Sequence, residues 1–164
     1  VCQAHQAHAA ERYPIKTRKL RRSSQAWWLL FLRDAQGRYW LERRPAQGGA
    51  NAIWAGLFSP LVYPGEADLA RMLAALPQAS QASQASPAPQ RHDLPVVLHV
   101  LTHRDLFLHP VVVQLAPVTD GCAVPDIHPA AGAWCTGPQA LALGLPAPVR
   151  KLMLSFEELF PLVK

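Results

Sequence analysis

Hydrophobic and polar positions fall along this chain in patterns that separate strands from helices. Ala26-Trp27-Trp28-Leu29-Leu30-Phe31-Leu32 is an unbroken apolar run, the pattern of a strand buried on both faces. Asp34-Ala35-Gln36-Gly37 supplies turn chemistry, and Arg38–Arg44 returns as a second strand. Pro45–Asn51 is loose and Gly-rich, and Ile53–Val62 reads as a tight loop leading into a third strand. The period then changes. Between Glu66 and Leu76, the apolar residues Leu69, Met72, Leu73 and Leu76 recur at helical spacing, which predicts one short amphipathic helix packed on a core. Val96–Val113 reads as two strands folded back at a polar tip, and Thr119–Ala131 as a loop with two prolines. Ala133-Trp134-Cys135 is a short strand or its end, and Pro138–Leu143 can start a brief helix. Ala147–Phe160 carries Val149, Leu152, Met153, Phe156, Leu159 and Phe160 at helical spacing. It is a C-terminal amphipathic helix with Pro146 or Pro148 in its first turn. Strands interleaved with two helices predict a sheet covered on both faces. Trp28, Leu30, Leu57, Val112 and Leu152 are expected in the core.

The Val96–Val113 stretch concentrates chemistry at its tip. Its two arms are β-branched and aromatic, and its only adjacent charged pair is Arg104-Asp105. Alternation puts His99, Leu101 and His103 on one face if the first arm is a regular strand. Polar side chains held up by rigid strands are suited to recognition. An ordinary hairpin with histidines at its rim has the same pattern.

Length and charge narrow the function classes. A chain of 164 residues, half of them hydrophobic, suits one domain of ordinary size. A net charge of +5 and a sequence pI of about 9.5 make a polyanion partner plausible. Lys16, Arg18, Lys19, Arg21 and Arg22 place five cations in seven positions, after Pro14. Such a run is either a solvated linker or a strap along phosphates. Apolar runs fall short of a membrane span, and the N-terminus lacks a signal-peptide core. Cys2, Cys122 and Cys135 are too few for a disulfide scaffold and point to a reducing, cytoplasmic setting. Cys2, His5 and His8 are spaced in threes, but a structural zinc site wants a fourth ligand. The opening on Val1 and Cys2 suggests a fragment of a longer protein. Pro77–Gln90 repeats Gln-Ala-Ser three times and reads as a flexible surface insertion unable to bury itself.

Four motifs, in order along nearly the whole chain, carry a family resemblance. They are Cys2 followed by Tyr13-Pro14-Ile15-Lys16; Leu41-Glu42-Arg43-Arg44-Pro45 with Ile53-Trp54-Ala55-Gly56-Leu57-Phe58-Ser59-Pro60; His99-Val100-Leu101-Thr102-His103; and Leu145-Pro146-Ala147-Pro148-Val149. Together they resemble the C-terminal part of an adenine DNA glycosylase of the MutY type. The resemblance implies an α/β (α+β) fold, a Nudix-like (MutT-like) mixed sheet flanked by helices. It divides the chain into an interdomain connector, with the end of the iron–sulfur region, over residues 1–23 and a lesion-recognition domain over residues 24–164. In that family the whole enzyme removes adenine paired with 8-oxoguanine during base excision repair. Its helical N-terminal domain holds the catalytic acids and the cluster, and its C-terminal domain recognises the oxidised guanine.

By resemblance, Leu101, Thr102 and His103 occupy the damage-sensing loop. A hydroxyl and an imidazole offer hydrogen bonds to a base edge or phosphate, while Leu101 can wedge against the stack. Leu101 stands where the family typically has Phe, and Arg104 and Asp105 also depart from its usual apolar or aromatic residues. His99, Arg104, Lys16, Arg18 and Lys19 complete the expected DNA-contacting set. Cys2 would be an iron–sulfur ligand only in the full-length protein, since one cysteine cannot hold a cluster. No cofactor is expected on the fragment itself. The expected partners are double-stranded DNA with 8-oxoguanine opposite adenine and the N-terminal catalytic domain of the same chain. The fragment is expected to be a monomer, nucleoid-associated and without a membrane role.

A Nudix hydrolase needs a box ending in Arg-Glu-x-x-Glu-Glu to hold magnesium. The helix after Gly56 offers only Glu66 and Asp68, and Glu157-Glu158 lies far along the chain. The fragment is therefore expected to keep the fold without the hydrolase chemistry. The alternatives are a Nudix hydrolase of oxidised nucleotides and a protein-interaction module.

Overall fold

The computed structural model describes residues 3–6, 8, 22–46, 53–76, 90–115 and 132–160, except the side chains of Ala4 and Glu157. The elements run α1 (Gln3–Gln6), β1 (Ser23–Arg33), β2 (Tyr39–Arg43), β3 (Phe58–Ser59), β4 (Leu61–Tyr63) and α2 (Glu66–Ala75). They continue through β5 (Gln90–Asp93), β6 (Val97–Val100), β7 (Arg104–Gln114), β8 (Gly132–Cys135), α3 (Gly137–Ala142) and α4 (Ala147–Leu159). One eight-stranded mixed sheet has the path β3-β2-β1-β7-β5, with β4 on β1, β6 on β7 and β8 on β2.

The longest strands make its centre. β1 and β7 pair in parallel from Ser23↔Arg104 to Arg33↔Gln114. Both carry apolar residues at alternate and adjacent positions, as a strand covered on both faces must. Trp27, Leu29, Phe31, Leu106, Leu108 and Val112 face one side and pack under Val149, Leu152, Met153 and Phe156 of α4. Leu30, Leu32, Val111 and Val113 face the other and pack under Leu69, Met72 and Leu76. The sheet is thus flanked by helices on both faces, as the hydropathy pattern predicts.

Local chemistry fixes the ends. Asp34 Oδ1 accepts from the backbone N–H of Gln36 and of Arg38, and its Oδ2 accepts from Arg38 Nε at 2.7 Å. Gly37 completes this turn at φ +76°, a conformation that favours glycine. Thr136 and Gln139 form a reciprocal capping box on α3. Pro146 caps α4, and Pro148 lies in its first turn.

Several expectations need correction. Trp28 and Leu57 are half-buried, whereas Leu30, Val112 and Leu152 are buried as expected. Trp28 sits at the margin of the second cluster, stacked on His109 with ring centroids 4.5 Å apart. Leu57 packs on the first cluster from the loop before β3. The short second helix ends at Ala75, and Leu159 of α4 is exposed. Gln90 opens a strand and does not close the insertion; residues 77–89 lie outside the described residues. β5 itself escapes the hydropathy pattern because Gln90, Arg91, His92 and Asp93 are all exposed. It joins the sheet through backbone pairing with Val111–Gln114, as a polar edge strand can, and His92 also meets Phe160 edge-on at 5.2 Å. The connector over residues 1–23 is described only at residues 3–6, 8 and 22–23, and Ser23 already belongs to β1.

Candidate nucleic-acid interface

β6 and β7 form the expected antiparallel hairpin, in register from Val97↔Leu108 to Val100↔Asp105. The N–H of Leu101 donates to the carbonyl of Arg104 at 2.8 Å, leaving Thr102 and His103 as the connection. Both are exposed at the end of the eleven-residue β7.

Regular alternation stops at Val100, so His103 does not share a strand face with His99. Leu101 is half-buried and packs against the first core cluster; it does not stand free. His99 is also half-buried, its ring 6.1 Å from that of Trp54. Arg104 turns back along β1, its Nε donating to Ser23 Oγ and its Nη1 to Gln25 Oε1, at 3.3 and 3.2 Å. Thr102 and His103 therefore present exposed side chains, while Leu101, Arg104 and His99 turn to the core, to β1 and to Trp54. Lys16, Arg18, Lys19 and Cys2 lie outside the described residues.

The entry to β1 abuts the same tip. The N–H of Ser23 donates to the carbonyl of His103 at 3.2 Å. Arg22 donates to the carbonyl of Leu101 at 3.1 Å and forms an ion pair with Asp105 at 2.5 Å. In the sequence Arg22 is only one more cation of the basic run. Its partners become visible once β1 and β7 are known to run parallel from Ser23↔Arg104.

Behind the tip lies an aromatic layer. The loop after β2 turns through left-handed conformations at Trp54, φ +63°, and Gly56, φ +73°. The N–H of Gly56 donates to the carbonyl of Arg44, and the N–H of Arg44 to that of Leu57. This lays Trp54 edge-on to Trp27, centroids 5.4 Å apart. The Arg44 guanidinium stands 5.4 Å from the centre of the Trp27 ring. Burial depresses the Arg44 pKa below the ordinary arginine value.

The sheet topology, the parallel β1–β7 pair and the two flanking helix layers have a counterpart among known domains. A model of the NUDIX domain matches residues 28–155. The chain belongs to the NUDIX family. Solved NUDIX folds resemble it across most of its length. The C-terminal domain of mouse MUTYH, solved in complex with human PCNA, superposes with a TM-score of 0.56 at 14% identity, covering 85% of this chain and 91% of that one. A MutT protein from Methanosarcina mazei Go1 gives 0.56 at 16% identity, covering 87% and 99%. The NUDIX domain of Shewanella oneidensis NrtR, solved with ADP ribose, gives 0.52 at 15% identity, covering 96% and 98%. No curated protein matches the sequence significantly.

The donor set bears on whether this NUDIX domain suits the magnesium chemistry of hydrolases. The α2 carboxylates Glu66 and Asp68 both stand in the first turn, and Asp68 is ion-paired with Arg71. The rest of that helix is Ala67, Leu69, Ala70, Arg71, Met72, Leu73, Ala74 and Ala75. Among the described residues, no group of three or more His, Cys, Asp or Glu is arranged to hold a metal. Magnesium bridging a pyrophosphate wants several hard oxygen ligands, and two carboxylates at one helix end, one engaged by an arginine, do not fit it. An iron–sulfur cluster does not fit this chain alone either, since Cys135 is buried in β8 and the sequence holds three cysteines in all. Among the described residues, no helix is long and apolar enough to cross a membrane.

Proposed function

We propose that this NUDIX domain is a non-catalytic DNA-binding domain that recognises 8-oxoguanine opposite adenine, as the C-terminal part of an adenine DNA glycosylase. The observation that carries the reading is the hairpin tip. Thr102 and His103 are exposed at the end of a strand whose other end is buried in the core. A hydroxyl and an imidazole so placed can donate to and accept from a base edge, and the hairpin supplies the stiffness that base discrimination needs. The two α2 carboxylates favour recognition over hydrolysis. The fold shared with the mouse MUTYH C-terminal domain agrees with this reading at the level of architecture.

Phosphate contacts would come from Lys16, Arg18 and Lys19 of the basic run. Each phosphate neutralised steepens the dependence of log affinity on log salt by about 0.9. The test is binding of the chain to duplexes with 8-oxoguanine or guanine opposite adenine, at two salt concentrations. Preference for the lesion, lost in Thr102→Ala/His103→Ala while the salt slope stays, is the expected result. An unchanged preference in that variant refutes the assignment of the tip. Magnesium-dependent phosphate release from oxidised dGTP would refute the non-catalytic reading.

A protein-docking role is favoured by a separate observation. Val96, Leu98, Val100 and Phe107 are exposed at β6 and β7, with Leu98 directly opposite Phe107. The mouse domain of the same fold was solved with PCNA. Binding of PCNA, lost in Leu98→Glu, would support that role beside DNA binding.

A further inference from the structure

The tip could be an independent hairpin end, its pose set by β6 and β7 alone. The contacts of Arg22 argue otherwise. Arg22 precedes β1 and is the last residue of the basic run, yet its guanidinium reaches 79 and 83 residues along the chain, to the Leu101 carbonyl and the Asp105 carboxylate. Those two groups flank Thr102-His103. From the opposite side, Arg104 reaches back to Ser23 and Gln25, and the N–H of Ser23 holds the His103 carbonyl. Three of the five residues Leu101–Asp105 thus have a backbone carbonyl or carboxylate bound by the start of β1 or by Arg22. Thr102 and His103, the residues assigned to recognition, keep exposed side chains, His103 being held through its carbonyl.

We infer that Arg22 is a positioning residue for lesion recognition: by clasping Leu101 and Asp105 it fixes the pose of Thr102 and His103 and ties that pose to the connector. This rests on the reading of the domain as a lesion sensor. Hydrogen bonds from a guanidinium to a carboxylate are strong and directional. The pair is also partly exposed, with side chains 47% and 27% accessible, so solvent screens it and its contribution to global stability is small. A contact that adds little to folding yet touches both shoulders of a two-residue tip acts chiefly on local order. It also fixes where the basic run ends relative to the tip, so backbone contacts and base contacts share one frame.

The experiment compares wild type with Arg22→Met, Arg22→Lys and Asp105→Asn in the 164-residue chain. Two readouts are taken: the affinity ratio between 8-oxoguanine:adenine and guanine:adenine duplexes, and amide relaxation at Thr102 and His103 without DNA. Arg22→Met and Asp105→Asn are expected to loosen the two tip amides and lower the affinity ratio about three- to fivefold, the scale of one partly exposed ion pair. Arg22→Lys, which keeps the charge and a donor, is expected to retain most of both. Asp105→Asn separates positioning from simple phosphate binding. If Arg22 only contacted phosphate, freeing it would tighten binding to both duplexes equally and leave the ratio intact, which overturns the inference. A wild-type chain without lesion preference overturns the lesion-sensor reading. In that case the relaxation data still decide the clasp, and unchanged tip amides in Arg22→Met and Asp105→Asn overturn it.

Discussion

Two glycines in this domain invite the same substitution and should answer it oppositely. Gly132 opens β8 opposite Glu42 of β2. A Cβ built there meets the Leu41 carbonyl oxygen at 2.5 Å, Trp40 Cζ2 at 2.8 Å and Glu42 Cγ at 2.9 Å. The first of these is backbone and cannot swing aside. Gly132→Ala must therefore either strain β2 against β8 or peel the first residue of β8 away. Strain of this kind costs about 1–3 kcal/mol, and losing one or two ladder hydrogen bonds costs about 1–2 kcal/mol. Reduced freedom of the unfolded chain returns about 0.4–1 kcal/mol, leaving a net loss of about 1–2 kcal/mol. At Gly144 the nearest atom to a built Cβ is Leu57 Cδ2 at 3.5 Å, ordinary contact. The carbonyl of Gly144 still accepts from the N–H of Phe58 whatever the side chain. Gly144→Ala should thus stabilise by the unfolded-state term alone, about 0.4–1 kcal/mol. Urea unfolding followed by tryptophan fluorescence separates the two, and the Trp40–Trp134 pair, centroids 5.6 Å apart, reports on the β2–β8 contact itself. With an m-value of about 2 kcal/mol/M, the two midpoints should differ by about 1 M. A Gly132→Ala midpoint at or above wild type would refute the close-approach reasoning.

Further predictions concern the core and the thiol. Phe156 is 1% exposed and meets Phe31 edge-on at 4.8 Å and Tyr39 at 5.5 Å, so Phe156→Ala should cost about 3–5 kcal/mol in the same assay. A loss below about 1 kcal/mol would mean α4 is not docked as described. Burial pushes the Cys135 thiol above the ordinary thiol range. In a chain with Cys2→Ser and Cys122→Ser, iodoacetamide should react with Cys135 more slowly when folded than in urea. The linkage has a definite sign. Above the pH where the unfolded thiol ionises, the unfolded chain binds fewer protons than the folded one, so stability should fall as pH rises through that range. Equal alkylation rates in the two states would contradict the burial.

Which features were legible in the sequence follows from where their determinants lie. β1, α2 and α4 carry their burial in their own hydropathy period, so apolar runs and helical stripes locate them. β5 has no such mark, because an edge strand of Gln, Arg, His and Asp is defined by what its backbone pairs with. Trp28 sits in an apolar run buried on both faces, where the pattern cannot say how far each face extends. The tip was legible as a polar break between two apolar arms, and Thr102 and His103 are exposed there. The orientation of its neighbours was not. Period-two counting carried His99, Leu101 and His103 along one face, but β6 ends at Val100 and the chain turns before His103. Arg22 and Arg104 looked like surface charges, since their partners depend on a parallel register between segments eighty residues apart.

That same register has a consequence for how the chain can vary. Pairing β1 with β7 joins residues 81 positions apart, such as Ser23 and Arg104. The entropy of closing so long a loop grows only with the logarithm of its length. Removing all of residues 77–89, with all three Gln-Ala-Ser units, would alter that closure by only about 0.2 kcal/mol. The β6–β7 hairpin closes locally, whereas β1 must find β7 across the long loop, a non-local pairing of the kind that slows folding more than it weakens the native state. Repeat length in this segment is therefore nearly invisible to the stability of the sheet, and chains with more or fewer repeats can share one NUDIX architecture.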